Sequence, residues 1–141
     1  PFIDLDVEIE KQENLSVAQI FELHGEAYFR KSETQTLLRV SSINAVIATG
    51  GGTPCYFKNA SLMVQSGLCV YLNATPKFAA NRLYHAKKVR PLVANANSLE
   101  ELENMISAQL SDRAKFYEQA HLSVEALNLN AENLLELMED V

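Results

Sequence analysis

What this chain lacks narrows its chemistry first. Nowhere in its 141 residues does a glycine-rich turn run into the Lys-Ser/Thr pair that grips phosphates at a helix N-terminus. No apolar run approaches the ~18 residues that a membrane-crossing helix needs. Pro1-Phe2-Ile3-Asp4 has neither the basic leader nor the cleavage signature of a signal peptide. An initiating Met is missing as well, which points to a processed, cloned or truncated start. Cysteine is scarce: Cys55 and Cys69 have no ligand-like spacing, and Cys69 sits in an apolar run that reads as core. A disulfide is unneeded in a domain of this size, and a reducing, cytoplasmic setting is expected. His24, His85 and His121 have no metal-ligand spacing, and no Ser-His-Asp order or nucleophile elbow is present. The net charge of −6 argues against nucleic acid, whose binders carry a basic face. There is no internal repeat, low-complexity tract or linker. With 48% apolar and 21% charged residues, the chain reads as one globular domain over residues 1–141, and a monomer is expected.

What is present centres on a strand that ends in glycine. Ala45-Val46-Ile47-Ala48-Thr49 runs into Gly50-Gly51-Gly52. Three glycines at a buried strand end offer bare backbone to a ligand, and open α/β sheets bind ligands at the carboxyl ends of their strands. Around this junction strands alternate with helices. Phe2-Ile3-Asp4 reads as a strand, and residues 6–13 as a short helix anchored by Val7 and Ile9. Ser16 and Gln19 make a capping box that opens a helix, which Gly25 punctuates. Residues 26–40 form a second helical stretch with Tyr28, Leu37, Leu38 and Val40 as its apolar positions. Residues 59–66 are helical and stop at Gly67. Leu68-Cys69-Val70-Tyr71-Leu72 is apolar throughout, as in a strand buried on both faces. Thr75-Pro76 starts a helix carrying Phe78, Ala79 and Leu83. Residues 84–97 are basic and aperiodic and read as a mobile loop or lid. Ser98 and Glu101 form another capping box, which opens a helix through Tyr117. Leu122-Ser123-Val124 is a short strand, and residues 130–138 form an amphipathic helix. This order predicts an α/β fold with a parallel sheet and helices on both faces.

Several residues could carry chemistry. Asp4 and Asp6 stand just after the first strand, where two carboxylates can serve a hydrated Mg²⁺ and a substrate hydroxyl, although an Asp there is most often a helix cap. Arg30 and Arg113 sit on helices, where an Arg is usually a solvated surface group; the alternative is a bidentate clamp on a small carboxylate. Lys87, Lys88 and Arg90 form a local basic cluster on an acidic chain. Arg90-Pro91-Leu92 suits a loop that closes over phosphate. Asn59, Met63, Phe78 and Phe116 read as packing or capping residues.

Taken in order, these segments resemble the shikimate kinase family. Phe2-Ile3-Asp4-Leu5-Asp6 is similar to that family's FxDxD segment. Ile20-Phe21, His24-Gly25-Glu26 and Phe29-Arg30-Lys31-Ser32-Glu33 are similar to its IF, GE and FRxxE stretch. Ile47-Ala48-Thr49-Gly50-Gly51-Gly52 is similar to its strand and glycine element. Val89-Arg90-Pro91-Leu92 resembles its lid, and Arg113-Ala114-Lys115-Phe116-Tyr117 resembles its R-x-x-x-Y helix. Each motif is short, but their order and separations hold across nearly the whole chain.

The resemblance implies the P-loop nucleoside-kinase fold and ATP-dependent phosphorylation of the shikimate 3-hydroxyl, with no nucleic acid or membrane partner. It implies that Asp4 organises Mg²⁺ through water, and that Asp6 binds the ring hydroxyls and orients or deprotonates the attacking one. Arg30 and Arg113 hold the shikimate carboxylate, Gly51 offers backbone between Gly50 and Gly52, Arg90 closes on the ATP phosphates, and Arg82 faces the nucleotide. These groups are thus expected to converge on one small acid. Two departures stand out. Leu127-Asn128-Leu129-Asn130 offers no Arg where the family commonly has one near the adenine. The family's first strand, phosphate loop and first helix do not lie within these residues, so the expectation is most of a shikimate kinase, inactive as the chain stands. The other reading is a kinase-like domain that binds a small acid or a partner and transfers nothing. The lid assignment makes one prediction: Arg90→Ala weakens nucleotide-dependent closure and spares shikimate binding, measured by titrating each ligand separately. Equal loss of both contradicts it.

Overall fold

The structure, a computed structural model, describes residues 1–86 and 95–141. Lys87, Lys88, Arg90 and most of the lid expected over residues 84–97 lie outside the described residues. The described residues gather into two compact units, Pro1–Cys69 and Val70–Val141. Each holds one pair of parallel strands.

The first unit opens with β1 (Phe2–Asp4), α1 (Leu5–Glu13) and α2 (Val17–Val40), followed by β2 (Val46–Ala48), a 3-10 turn (Thr53–Cys55) and α3 (Asn59–Ser66). β1 and β2 run parallel, with Ile3 opposite Ile47 and Asp4 opposite Ala48. Their carboxyl ends therefore lie side by side. Within α1 the buried residues are Leu5 and Ile9, while Val7 is exposed. A spacing of four keeps Leu5 and Ile9 on one face and turns Val7 away, so Leu5 takes the anchor role expected of Val7. These two join Ile20, Phe29, Leu37 and Val40 in the core. Each fully buried aliphatic contributes about 1.5–3 kcal/mol.

α2 begins with the expected capping box: Gln19 N–H donates to Ser16 Oγ, and Ser16 N–H donates to the Gln19 side chain. Gly25 breaks its helical path with φ 81° and ψ 172°. Nothing crowds the position a Cβ would take there, so it is the backbone angle that favours glycine. After the break, Phe29, Ser32, Glu33, Thr36, Leu37 and Val40 face inward. Tyr28 and Leu38 point out, against expectation, because they fall off that stripe. Tyr28 instead helps to tie α1 to α2. Its hydroxyl donates to Glu13 Oε2 at 2.8 Å, and Ser32 Oγ donates to Glu13 Oε1 at 2.6 Å.

The second unit runs β3 (Val70–Asn73), α4 (Pro76–Tyr84), α5 (Leu99–Tyr117), β4 (Leu122–Glu125) and α6 (Ala131–Glu139). β3 and β4 are parallel, with Val70 opposite Leu122 and Asn73 opposite Glu125. Thr75 caps α4 through Phe78 N–H, with Pro76 in the first turn. Ser98 caps α5 through Glu101 N–H, but the Glu101 carboxylate takes Asn97 N–H at 2.8 Å, so that box closes one residue early. Ala80, Leu102 and Ile106 form the core where α4 meets α5. β3 is less covered than its apolar run suggests: Leu68 and Leu72 are exposed and Cys69 is half-buried. In its own unit β3 has a single strand neighbour, β4. No described helix is long and apolar enough to cross a membrane.

The Glu13 tie gives a pH-dependent test. Hydrogen bonds from Ser32 and then Tyr28 hold the Glu13 carboxyl below its ordinary pKa. A carboxylate lowered in the folded state stabilises above its unfolded pKa and loses that contribution as pH falls through the folded value. Ser32→Ala should therefore cost about 1 kcal/mol at neutral pH. In urea titrations the difference from the parent should shrink in acid. A pH-independent difference contradicts this account.

Candidate active site

The parallel register of β1 and β2 assembles one edge of the first unit. Asp4 ends β1, Asp6 lies in the first turn of α1, and the chain leaving β2 enters Gly50-Gly51-Gly52. Asp4 is a helix cap: its Oδ1 accepts from Asp6 N–H at 2.9 Å and Val7 N–H at 3.2 Å. Asp6 is half-buried beside it.

The glycine turn folds back on itself through Thr53 N–H to the Gly50 carbonyl and Cys55 N–H to the Gly52 carbonyl. Of the three glycines, Gly52 has the clearest steric reason to be one. A Cβ on Gly52 would lie 2.7 Å from Arg30 Nη2 and 2.8 Å from Nη1. The guanidinium fills the space that any other side chain would claim. The sequence placed Arg30 and the glycines in one site, and this contact brings them together.

Arg30 is anchored from below. Its Nη1 donates to Glu33 Oε1 at 3.0 Å, and the Glu33 side chain is only 1% exposed. Glu33 Oε2 accepts from Thr53 Oγ1 at 2.8 Å. Thr53 is itself buried, and its carbonyl accepts from Asn59 Nδ2 at 2.9 Å. The Asn59 Oδ1 atom is buried with no hydrogen-bond partner among the described residues. Burial works against the charge on Arg30, but the Glu33 hydrogen bond and charge, with Tyr56 and Glu26, outweigh it and raise the pKa. Arg30 is therefore a fixed cation packed against the glycine turn. Thr53 and Tyr56 were not foreseen as supports from the sequence, and Asn59 was read as packing or capping. Glu26 and Glu33 could have been found, since they stand four before and three after Arg30 on one helix face.

Arg82 and Arg113 belong to the second unit. Arg82 lies in the last turn of α4, its guanidinium 5.7 Å from the Phe78 ring. Arg113 is half-buried on α5 and has no acid within ion-pair distance among the described residues. Arg90 lies outside the described residues.

Parallel strands joined through helices, with charged groups gathered where the strands end, define an α/β protein of the P-loop nucleoside-kinase fold. The chain belongs to the shikimate kinase family, whose family model matches residues 1–141. It is 43% identical over 144 residues to the shikimate kinase of Flavobacterium johnsoniae, covering 100% of this chain and 83% of that protein. It is similar to the crystal structure of shikimate kinase from Bacteroides thetaiotaomicron, with a TM-score of 0.90 and 38% identity over 99% of this chain and 84% of that one. The shikimate kinase from Acinetobacter baumannii in complex with shikimate gives a TM-score of 0.83 and 32% identity, over 99% and 78% of the two chains.

The anchor makes a stability prediction. Glu33→Ala strands a half-buried cation and an orphaned Thr53 hydroxyl, and should cost about 2–4 kcal/mol by chemical denaturation, as when a buried pair loses one partner. A loss under about 0.5 kcal/mol, the scale of an exposed pair, contradicts the assignment.

Proposed function

We infer that this protein phosphorylates the 3-hydroxyl of shikimate with ATP, a reaction of chorismate and aromatic amino acid biosynthesis. The observation that carries the reading at residue level is the Arg30 guanidinium, held cationic by buried Glu33 and seated on Gly52 at the carboxyl end of parallel strands. A guanidinium fixed beside bare backbone suits a planar carboxylate on a small ring.

Phosphoryl transfer needs positioning and charge compensation more than covalent help from the protein. Arg30 and Arg113 take the shikimate carboxylate, and the backbone at Gly50, Gly51 and Gly52 supports the ring. Asp6 binds ring hydroxyls and orients or deprotonates the attacking one. Arg82 and Arg90 serve the ATP side, with Arg90 closing on the phosphates. Holding the ring by its carboxylate turns one hydroxyl toward the phosphate to be transferred and removes most of the orientational cost of the step.

Asp4 fits a water-mediated role toward Mg²⁺. Its Oδ1 is engaged as a cap, which leaves Oδ2 for a metal-bound water. Among the described residues no three acid, His or Cys side chains cluster tightly enough to hold a metal directly. Mg²⁺ keeps several waters and commonly uses only one or two carboxylates together with substrate phosphates. When bound, it neutralises charge on the phosphates. We assign the protein to the cytoplasm as a monomer; a chain of this size with only two cysteines, at no ligand-like spacing, suits a reducing compartment.

The test of function, run on the protein with a phosphate-loop segment ahead of Pro1, is ADP release that depends on shikimate, with the new ester located on the 3-hydroxyl by NMR. Ester at another hydroxyl, or ADP release that ignores shikimate, refutes the reading. The carboxylate assignment is tested by calorimetry. Arg30→Ala and Arg113→Ala should each weaken shikimate binding by about 1.5–3 kcal/mol, the worth of a hydrogen bond to a charged group. Unchanged affinity in either variant removes that Arg from the site.

A further inference from the structure

Arg30 is held on a second side that its pairing with Glu33 does not explain. Tyr56 follows the 3-10 turn and sets its ring 4.2 Å from Arg30 Cζ. The Tyr56 hydroxyl donates to Glu26 Oε1 at 2.9 Å. That same oxygen accepts from Arg30 Nε at 3.4 Å. One tyrosine therefore touches the guanidinium through its ring and the guanidinium's outer carboxylate through its hydroxyl.

The outer pair is weak by itself. Glu26 is 55% exposed and its contact to Nε is long. An exposed pair four apart on a helix contributes only a few tenths of a kcal/mol. The hydrogen bond from Tyr56 is what keeps Glu26 at Nε. Donation to ionised Glu26, then burial, raise the Tyr56 pKa.

Glu33 alone fixes Nη1 and leaves the guanidinium plane free to turn about that contact. A second contact on Nε, and an aromatic ring against the central carbon, remove that freedom. Nη1 and Nη2 then both lie against Gly52. A bidentate contact depends on the orientation of this plane, and an Arg whose plane is already set loses less entropy on binding. The stretch Thr53-Pro54-Cys55-Tyr56 directly follows the triple glycine. The same turn thus supplies both the backbone beneath Arg30 and the ring against it.

We propose that Tyr56, with Glu26, forms a clasp that orients the Arg30 guanidinium, making Tyr56 a positioning residue for carboxylate recognition. The inference rests on the assignment of Arg30 to the substrate carboxylate. Tyr56 acts through Arg30 and does not itself contact the acid.

The experiment compares shikimate with its reduced analogue, in which the carboxylate is a primary alcohol. Calorimetry is run on the parent, Tyr56→Ala, Tyr56→Phe and Arg30→Lys, with melting temperatures measured alongside. Tyr56→Ala should weaken shikimate binding about tenfold, the scale of a partly desolvated cation–π contact. It should leave the alcohol and the melting temperature close to the parent. Tyr56→Phe, which keeps the ring but loses the hydroxyl that holds Glu26, should recover only part of the loss. Arg30→Lys should weaken shikimate strongly. Parent-like shikimate binding in Tyr56→Ala, with a weakened Arg30→Lys, overturns the clasp and leaves the Arg30 assignment standing. Equal loss for acid and alcohol in Tyr56→Ala makes Tyr56 a general packing residue and also overturns the clasp. Parent-like binding in Arg30→Lys overturns the carboxylate assignment and the clasp together.

Discussion

A guanidinium taken largely out of water needs a counter-charge with no freedom to leave. In this protein the demand is met at Arg30 by Glu33, three residues on and almost fully buried. Much of the surrounding local structure follows. A buried carboxylate needs donors for both oxygens, so Thr53 points its hydroxyl inward at Oε2. For Thr53 to reach Glu33, the chain leaving β2 must turn sharply, and its carbonyl is secured by Asn59 at the start of α3. The side chain of Arg30 then fills the turn, which leaves Gly52 room for hydrogen only. Residues 30, 33, 52, 53 and 59 thus form a single polar network, in which each member's position is the condition for the next.

Under the proposed function this network makes a sheet edge into a binding surface. Parallel pairing aligns the ends of β1 and β2, so a carboxylate pair from one connection and bare backbone from the next emerge together. A substrate with one acid group and several hydroxyls can be read by such a surface without a deep apolar pocket. Under the proposed function the cation takes the acid, the carboxylates take hydroxyls, and the glycines permit close approach. Catalysis in this family uses ATP, and the phosphate donor needs its own set of cations. In the proposed reading the donor's cations, Arg82 and Arg90, lie in sequence between Arg30 and Arg113, which serve the acid.

Much of the architecture was legible because its signals are local. The capping residues Ser16, Thr75, Ser98 and Asn130 each begin a helix where side-chain chemistry requires one. The ends of α3 and the position of β1 also follow from short patterns. Burial was less legible. Val7 and Leu38 are apolar yet exposed, since the direction each faces depends on helix phase and neighbouring elements. β3 reads as a strand buried on both faces, but Leu72 is exposed. At the site, Arg30 and the glycines were readable as motifs, but the reason for Gly52 was not. Its partner lies twenty-two positions earlier, and only the folded turn brings them within contact. Thr53 and Tyr56 carry no motif of their own; they matter through where their hydroxyls point.

The break at Gly25 has a consequence for how sequence change spreads. A continuous helix would carry any rotation of its first turns along to Arg30, since a rigid rod moves as a whole. The left-handed backbone at Gly25 interrupts that rod one residue before Glu26. A change in the axis of residues 17–24 is therefore not carried along the backbone into the register that pairs Glu26, Arg30 and Glu33. The glycine gives the two halves of α2 separate axes, the first packed on the core through Ile20 and the second holding its angles for Arg30.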